Sequence, residues 1–111
     1  MKRFQIIKFD HTDSTLIAYA FEIRKIVFIE EQNVPFDLER DEFDKESVHY
    51  IMMEGQKPIA TARRRKTGKG VKLERFAVLS EYRNQGIGSR ILKYVLSDLH
   101  NEQEQIYLNA Q

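Results

Sequence analysis

Apolar residues fall into short runs bounded by turn residues and into two segments where they recur at helical spacing. Phe4, Ile6, Ile7 and Phe9 give Arg3 to Phe9 the content of a short strand. The cluster His11-Thr12-Asp13-Ser14 then supplies side-chain oxygens that can accept the free N–H groups of a helix start. Leu16, Ala20, Ile23 and Val27 follow at helical spacing, which predicts a helix from Asp13 to about Ile29 with one buried face. Pro35 cannot continue that helix, and the acidic stretch around it reads as a loop with room for one short turn.

Val48 to Glu54 reads as a strand, and Gly55 turns the chain into another from Pro58 to Lys66. Thr67-Gly68-Lys69-Gly70 is a further turn, leading into a strand from Val71 to Leu79. Short turns between three strands predict an antiparallel meander. A polar loop, Ser80 to Gln85, precedes a helix from Gly86 to about His100, with Ile87, Ile91, Leu92, Val95 and Leu99 on its apolar face. Ile106-Tyr107-Leu108 reads as a last strand. The fold class is therefore α/β in one domain over residues 1–111: a mixed sheet, with the meander followed by one parallel strand–helix–strand unit, expected to be right-handed.

Composition narrows the chemistry. With 111 residues there is room for one modest core, and 41% hydrophobic with 32% charged residues is ordinary for a soluble domain. The chain has no cysteine, which rules out disulfides and thiolate sites. No apolar run approaches a membrane span and the N-terminus opens no secretory h-region, so a cytoplasmic protein without membrane contact is expected. His11, His49 and His100 have no zinc-ligand spacing with one another or with the carboxylates, so no metal is expected. A Gly-x-Ser-x-Gly hydrolase elbow is absent.

The net charge of +1 points to no partner, but its distribution is uneven. Eight acidic residues lie between Glu30 and Glu46, against Arg40 and Lys45; eight basic residues lie between Lys57 and Arg75, against Glu74. The basic run Arg63-Arg64-Arg65-Lys66, with Lys69 and Lys72, raises a nucleic-acid-binding module as the non-enzymatic rival. Alternation along a strand splits that run between two faces, and no aromatics interleave it for base stacking, so no nucleic-acid partner is expected.

Between the third meander strand and the second helix lies Arg83-Asn84-Gln85-Gly86-Ile87-Gly88-Ser89. A helix N-terminus presents unpaired N–H groups and a positive dipole end, and glycine lets an anion approach the backbone. The Gly-Lys-Ser/Thr ending of a P-loop is missing. The dinucleotide pattern fails too, because Ile91 stands at its third glycine and Asn109 where it wants an acid. Arg/Gln-x-x-Gly-x-Gly/Ala, the acetyl-CoA loop, is met at every specified position, although a plain strand-to-helix turn would also use such glycines.

The stretch from Leu73 to Gly88 resembles the fourth strand and coenzyme loop of the GNAT superfamily of N-acetyltransferases. Arg24 to Pro35 with Asp41 and Asp44, then Pro58 to Arg63, and Leu108 to Gln111 are similar, in matching order, to a small bacterial subgroup of it. The resemblance implies a GNAT-like acyl-CoA N-acyltransferase fold and transfer of an acetyl group from acetyl-CoA to a primary amine, on a small molecule or a peptide. Phe76, Ala77 and Val78 would run beside the pantetheine arm; Arg83, Asn84, Gln85, Gly86, Ile87, Gly88 and Ser89 would hold the pyrophosphate. A strand N–H near Val78 would polarise the acetyl carbonyl. Glu74 is the candidate general base, with a salt bridge to the neighbouring basic strand as its other reading. Glu31 and His49 are candidate acceptor contacts, with a cap on the first helix region and a hydrogen-bonded structural histidine as their other readings. Gln111 is a candidate coenzyme contact, and the acidic segment is expected to favour a cationic amine.

In the family a further helix, often carrying the tyrosine that protonates the thiolate, and two closing strands follow the fifth strand. They do not appear before Gln111, and Tyr82, Tyr94 and Tyr107 do not match that tyrosine. The expectation is a chain that binds coenzyme far better than it transfers acetyl groups, with self-association as a homodimer through the open edge or a marginally stable monomer. A coenzyme-A-binding regulatory or interaction domain without catalysis is the alternative.

Overall fold

The computed structural model of the chain describes residues 3–35 and 42–108. Strand β1 is Phe4–Phe9, and helix α1 is Ser14–Arg24. Asp13 caps α1, its carboxylate accepting the Leu16 N–H at 3.0 Å, so the polar cluster starts the helix as its oxygens predict. The helix does not stay α-helical to Ile29. From Lys25 to Glu31 it widens into a π-helix, and it unwinds where Asn33 takes a positive φ of 58° and the Val34 N–H reaches back to the Phe28 carbonyl at 2.8 Å.

A 3-10 turn, Glu42–Lys45, precedes the meander of β2 (Val48–Glu54), β3 (Lys57–Thr67) and β4 (Gly70–Val78). A second 3-10 turn, Ser80–Tyr82, leads to helix α2 (Ile87–Asp98) and then β5 (Ile106–Leu108). The five strands lie in sequence order, antiparallel except for β4 and β5, which pair in parallel from Val71–Ile106 to Leu73–Leu108. The mixed sheet and its one crossover are those expected from the hydrophobic pattern.

Adjacent strand residues point to opposite faces, and this separates the two helices. Arg63 contacts Asp44 and lies on the α1 side, whereas Arg64 contacts Tyr50 and Asp98 on the α2 side. Coverage of both faces explains why β2 is buried almost throughout, with Tyr50, Ile51 and Met52 fully enclosed. Ala20, Ile23 and Val27 fill one layer from α1 and its π extension, and Ile87, Ile91 and Val95 fill the other from α2.

One irregularity lies beside the loop of interest. Thr61 pairs with Ala77 and Arg63 with Glu74, so Ala62 alone faces both Arg75 and Phe76. That is a β-bulge, and within it Arg75 takes a positive φ of 57°. A bulge bends its strand and increases local twist, and here it sits just past Leu73, the last β4 residue paired with the described part of β5.

Candidate functional site

The loop between β4 and α2 is anchored at its start. Leu79 N–H reaches the Ile59 carbonyl at 3.0 Å, and Tyr82 is buried with its hydroxyl donating to Glu54 at 2.9 Å. Burial of Ile87 pins the other end to the core. Between these anchors Asn84 and Gly86 adopt left-handed φ values of 63° and 77°, turning the chain sharply into the helix.

The first bond within α2 runs from Arg90 N–H to the Gly86 carbonyl at 3.0 Å. The N–H groups of Ile87, Gly88 and Ser89 therefore have no acceptor inside the helix and point out of its N-terminus. Gly88 and Ser89 are exposed, and the first turn carries no acidic residue. A Cβ on Gly88 would touch only Val78 Cγ2, at an ordinary 3.9 Å, and one on Gly86 would meet nothing within 4 Å. Packing does not demand either glycine; what their missing side chains leave open is approach from outside. Exposed amides, a positive dipole end and an unobstructed backbone suit the pyrophosphate of a nucleotide coenzyme.

Arg83 ties this loop to two other elements. Its Nε donates to the Val78 carbonyl at 3.0 Å, and its Nη2 pairs with Glu31 at 2.7 Å. The structure thus brings Glu31, at the end of the π-helix, against the first residue of the loop. Phe76, Ala77 and Val78 continue β4 past the bulge, with Ala77 paired to Thr61 and Val78 to Ala60. Gln111 lies outside the described residues, as do Asp37, Glu39 and Asp41 of the acidic segment.

His49 is not at a cleft. It is 1% exposed, its Nε2 lies 2.9 Å from the Asp44 carbonyl, and its ring stacks on Phe9. Burial lowers its pKa below the usual histidine value, against the opposing pull of the Asp44 carbonyl and carboxylate. The geometry gives His49 its structural, hydrogen-bonded reading: the alternation that gives β2 two buried faces puts this side chain under α1.

Glu74 is held by three cations. Its carboxylate takes Arg63 at 2.6 Å, Arg65 at 2.7 Å and Lys72 at 3.2 Å. Burial pushes its pKa up, but the Arg65 hydrogen bond and the Arg63 charge outweigh burial and leave it below the ordinary carboxylate range. The geometry thus gives Glu74 its ion-paired reading; a carboxylate held ionised this way is a weak proton acceptor.

The acidic segment also contains a core residue that charge counting treats as a loop residue. Asp44 is buried and shared by Arg24 at 2.7 Å and Arg63 at 2.8 Å, both arginines being 1% exposed. The signal was present in the sequence, since Arg24 follows Ala20 and Ile23 and precedes Val27 on the buried helical face. Each arginine of the basic run has a partner within the fold: Arg63 pairs with Asp44 and Glu74, Arg65 with Glu74, and Arg64 with Tyr50 and Asp98. Among the described residues no group of three or more histidines or carboxylates could hold a metal, and no helix is long and apolar enough to cross a membrane.

Residues 14–111 match the family model described as the Acetyltransferase (GNAT) family. The chain is 47% identical over 75 residues to the uncharacterized N-acetyltransferase YjcF of Bacillus subtilis, a match covering 67% of this chain and 53% of that protein. It thus spans about half the length of the curated relatives it matches. Among solved structures, an acyl-CoA N-acyltransferase from Pseudomonas aeruginosa superposes with a TM-score of 0.87 at 24% identity, covering 98% of this chain and 80% of the other. Escherichia coli ElaA gives 0.85 at 23% identity, covering 100% and 79%. The glycine loop between strand and helix, the mixed sheet around it and these matches lead to one conclusion: the chain belongs to the GNAT acetyltransferase family.

Proposed function

We propose that the chain transfers an acetyl group from acetyl-CoA to a primary amine, with the pyrophosphate held on the loop from Arg83 to Ser89. The observation that carries this reading is the set of outward N–H groups of Ile87, Gly88 and Ser89 at a helix start with no acidic residue and no Cβ in the way. The coenzyme would supply the acetyl thioester. Phe76, Ala77 and Val78 would line its pantetheine arm, and a β4 N–H near Val78 would stabilise the oxyanion that develops during acyl transfer. Arg83 already holds the Val78 carbonyl and would orient this end of the strand. Glu74 would serve in this proposal as an ion-pair partner of Arg63, Arg65 and Lys72. As the amine nitrogen bonds the acetyl carbon and the thioester C–S bond breaks, solvent would take the amine's proton and supply one to the departing CoA thiolate.

A coenzyme-binding domain without catalysis is the second reading. One observation favours it: the one acid of β4 is engaged by Arg63, Arg65 and Lys72. Calorimetric titration with CoA, followed by acetyl-CoA turnover on a panel of primary amines, separates the two. Gly86→Asp and Gly88→Asp are expected to abolish CoA binding through intrusion and like-charge repulsion. Unchanged affinity in both variants would overturn the site, and binding without turnover on any amine would favour the second reading.

A further inference from the structure

On the α1 side of the sheet Glu74 is shared by three cations, of which Arg63 is also paired with Asp44. Arg65 and Lys72 face each other in register across β3 and β4, and both reach Glu74, through Arg65 Nε at 2.7 Å and Lys72 Nζ at 3.2 Å. Among the described residues Glu74 is the one carboxylate that pairs with either of them. Arg63 draws on the same carboxylate at 2.6 Å. Glu74 itself is 9% exposed, whereas Arg65 and Lys72 keep 15% and 20% of their side chains open to solvent. The cations, and not the anion, form the accessible surface.

Aromatic rings flank this pair. The Arg65 guanidinium lies over the Phe43 ring at 4.0 Å, within cation–π range. Tyr107 stands beside Lys72 in the β4–β5 register, its hydroxyl tied to Thr67 at 2.6 Å. The patch is therefore built and held in place. It ends at Glu74, about 7 Å along the strand from Phe76, where the segment assigned above to the pantetheine arm begins.

We propose that Arg65 and Lys72 bind an anionic substituent of the acceptor, a carboxylate or a phosphate, while its amine lies toward Phe76–Val78. The proposal rests on the acetyltransfer reading for the amine end and names the acceptor class: short amines with an acidic group a few bonds away. It differs from the expectation of a cationic amine drawn from the acidic segment, and the test below separates the two. Of the acidic residues that motivated that expectation, Asp44 is spent on Arg24 and Arg63, and Glu31 is paired with Arg83.

The test compares β-alanine with its carboxamide, and phosphoethanolamine with ethanolamine, as acceptors for the full chain with acetyl-CoA. The anionic member of at least one pair is expected to be favoured about tenfold in kcat/KM, the worth of one charge-assisted hydrogen bond. The pair that shows it identifies the group. Lys72→Gln is expected to remove the preference by raising KM for the anionic member alone, and Lys72→Arg to restore it. Equal or better use of the neutral members, or an equal loss on both in Lys72→Gln, overturns the proposal. A readout independent of turnover is amide NMR with N-acetyl-β-alanine and, separately, inorganic phosphate. Shifts at Arg65 and Lys72 that vanish in Lys72→Gln support the site, and their absence overturns it. Failure of CoA to bind in calorimetry, with those shifts present, would instead count against the coenzyme reading.

Discussion

At the scale of single residues, the two loop glycines separate folding from binding. Gly86 needs its positive φ of 77°, and Gly86→Ala is expected to cost about 1 kcal/mol through backbone strain alone, since its Cβ would meet nothing. Gly88 lies in the first turn of α2, where alanine is the better helix former by about 1 kcal/mol. Gly88→Ala is therefore expected to leave the melting temperature unchanged or raised while weakening CoA binding. Thermal denaturation and calorimetry on the same two variants check this; a destabilised Gly88→Ala with intact CoA affinity would show the glycine to be a packing residue. Arg83 and Glu31, 40% and 31% exposed, form a surface pair. Glu31→Gln is expected to change stability by less than about 1 kcal/mol, measurable by urea denaturation.

At the scale of elements, the 3-10 turn Glu42–Lys45 is fastened to the sheet by one carboxylate. Asp44 joins Arg24 of α1 to Arg63 of β3, and its carbonyl also meets His49 of β2. Asp44→Asn removes the charge that Arg24 and Arg63 share, although Arg63 keeps its pair with Glu74, and the expected loss is about 3 kcal/mol, the low end of what breaking a buried pair from one side costs. Chemical denaturation measures it, and a loss under 1 kcal/mol would mean that water reaches the arginines. Periodicity located each of the described strands and both helices to within a few residues, because apolar spacing is a local property. The π-helical Lys25–Glu31 was not legible, since nothing in the spacing of Ile26, Val27 and Ile29 separates a π turn from an α turn. Nor was the bulge at Arg75, where an arginine occupies a backbone conformation usually left to glycine.

At the scale of the whole molecule, stability is expected to fall with acid in two steps. The folded pKa of His49 is lowered, so below its ordinary value of 6.5 the unfolded chain binds a proton that the folded chain resists. The unfolded state then holds more protons, and each step down in pH favours it. Glu74 and Asp98 are also lowered, from 4.5 and 3.8, and their contribution, present at neutral pH, is lost as pH falls below those values. Melting temperatures from pH 8 to 3 should thus be level at first, dip below about 6.5 and fall more steeply below about 4.5. His49→Gln should abolish the first step alone; a first step that survives this variant belongs to another group.

The sequence by itself determined the meander, the crossover and the glycine loop between β4 and α2, while the place of β1 beside β2 came from the tertiary structure. Apolar period, turn residues and the positions of Gly86 and Gly88 act within a few residues of where they are written. It also narrowed Glu74 to two roles, proton acceptor or ion-pair partner, without deciding between them. Only the tertiary structure supplied its partners, because two of them come from β3, and register and bulge place Arg63 and Arg65 on its face of the sheet, with Lys72 of β4, while sending Arg64 to the other. The same holds for Asp44 and His49. Along the chain they are a loop acid and a strand histidine; burial under α1 makes them the anion and the neutral ring of one enclosed network, since a charge removed from water must find its partners wherever the fold brings them.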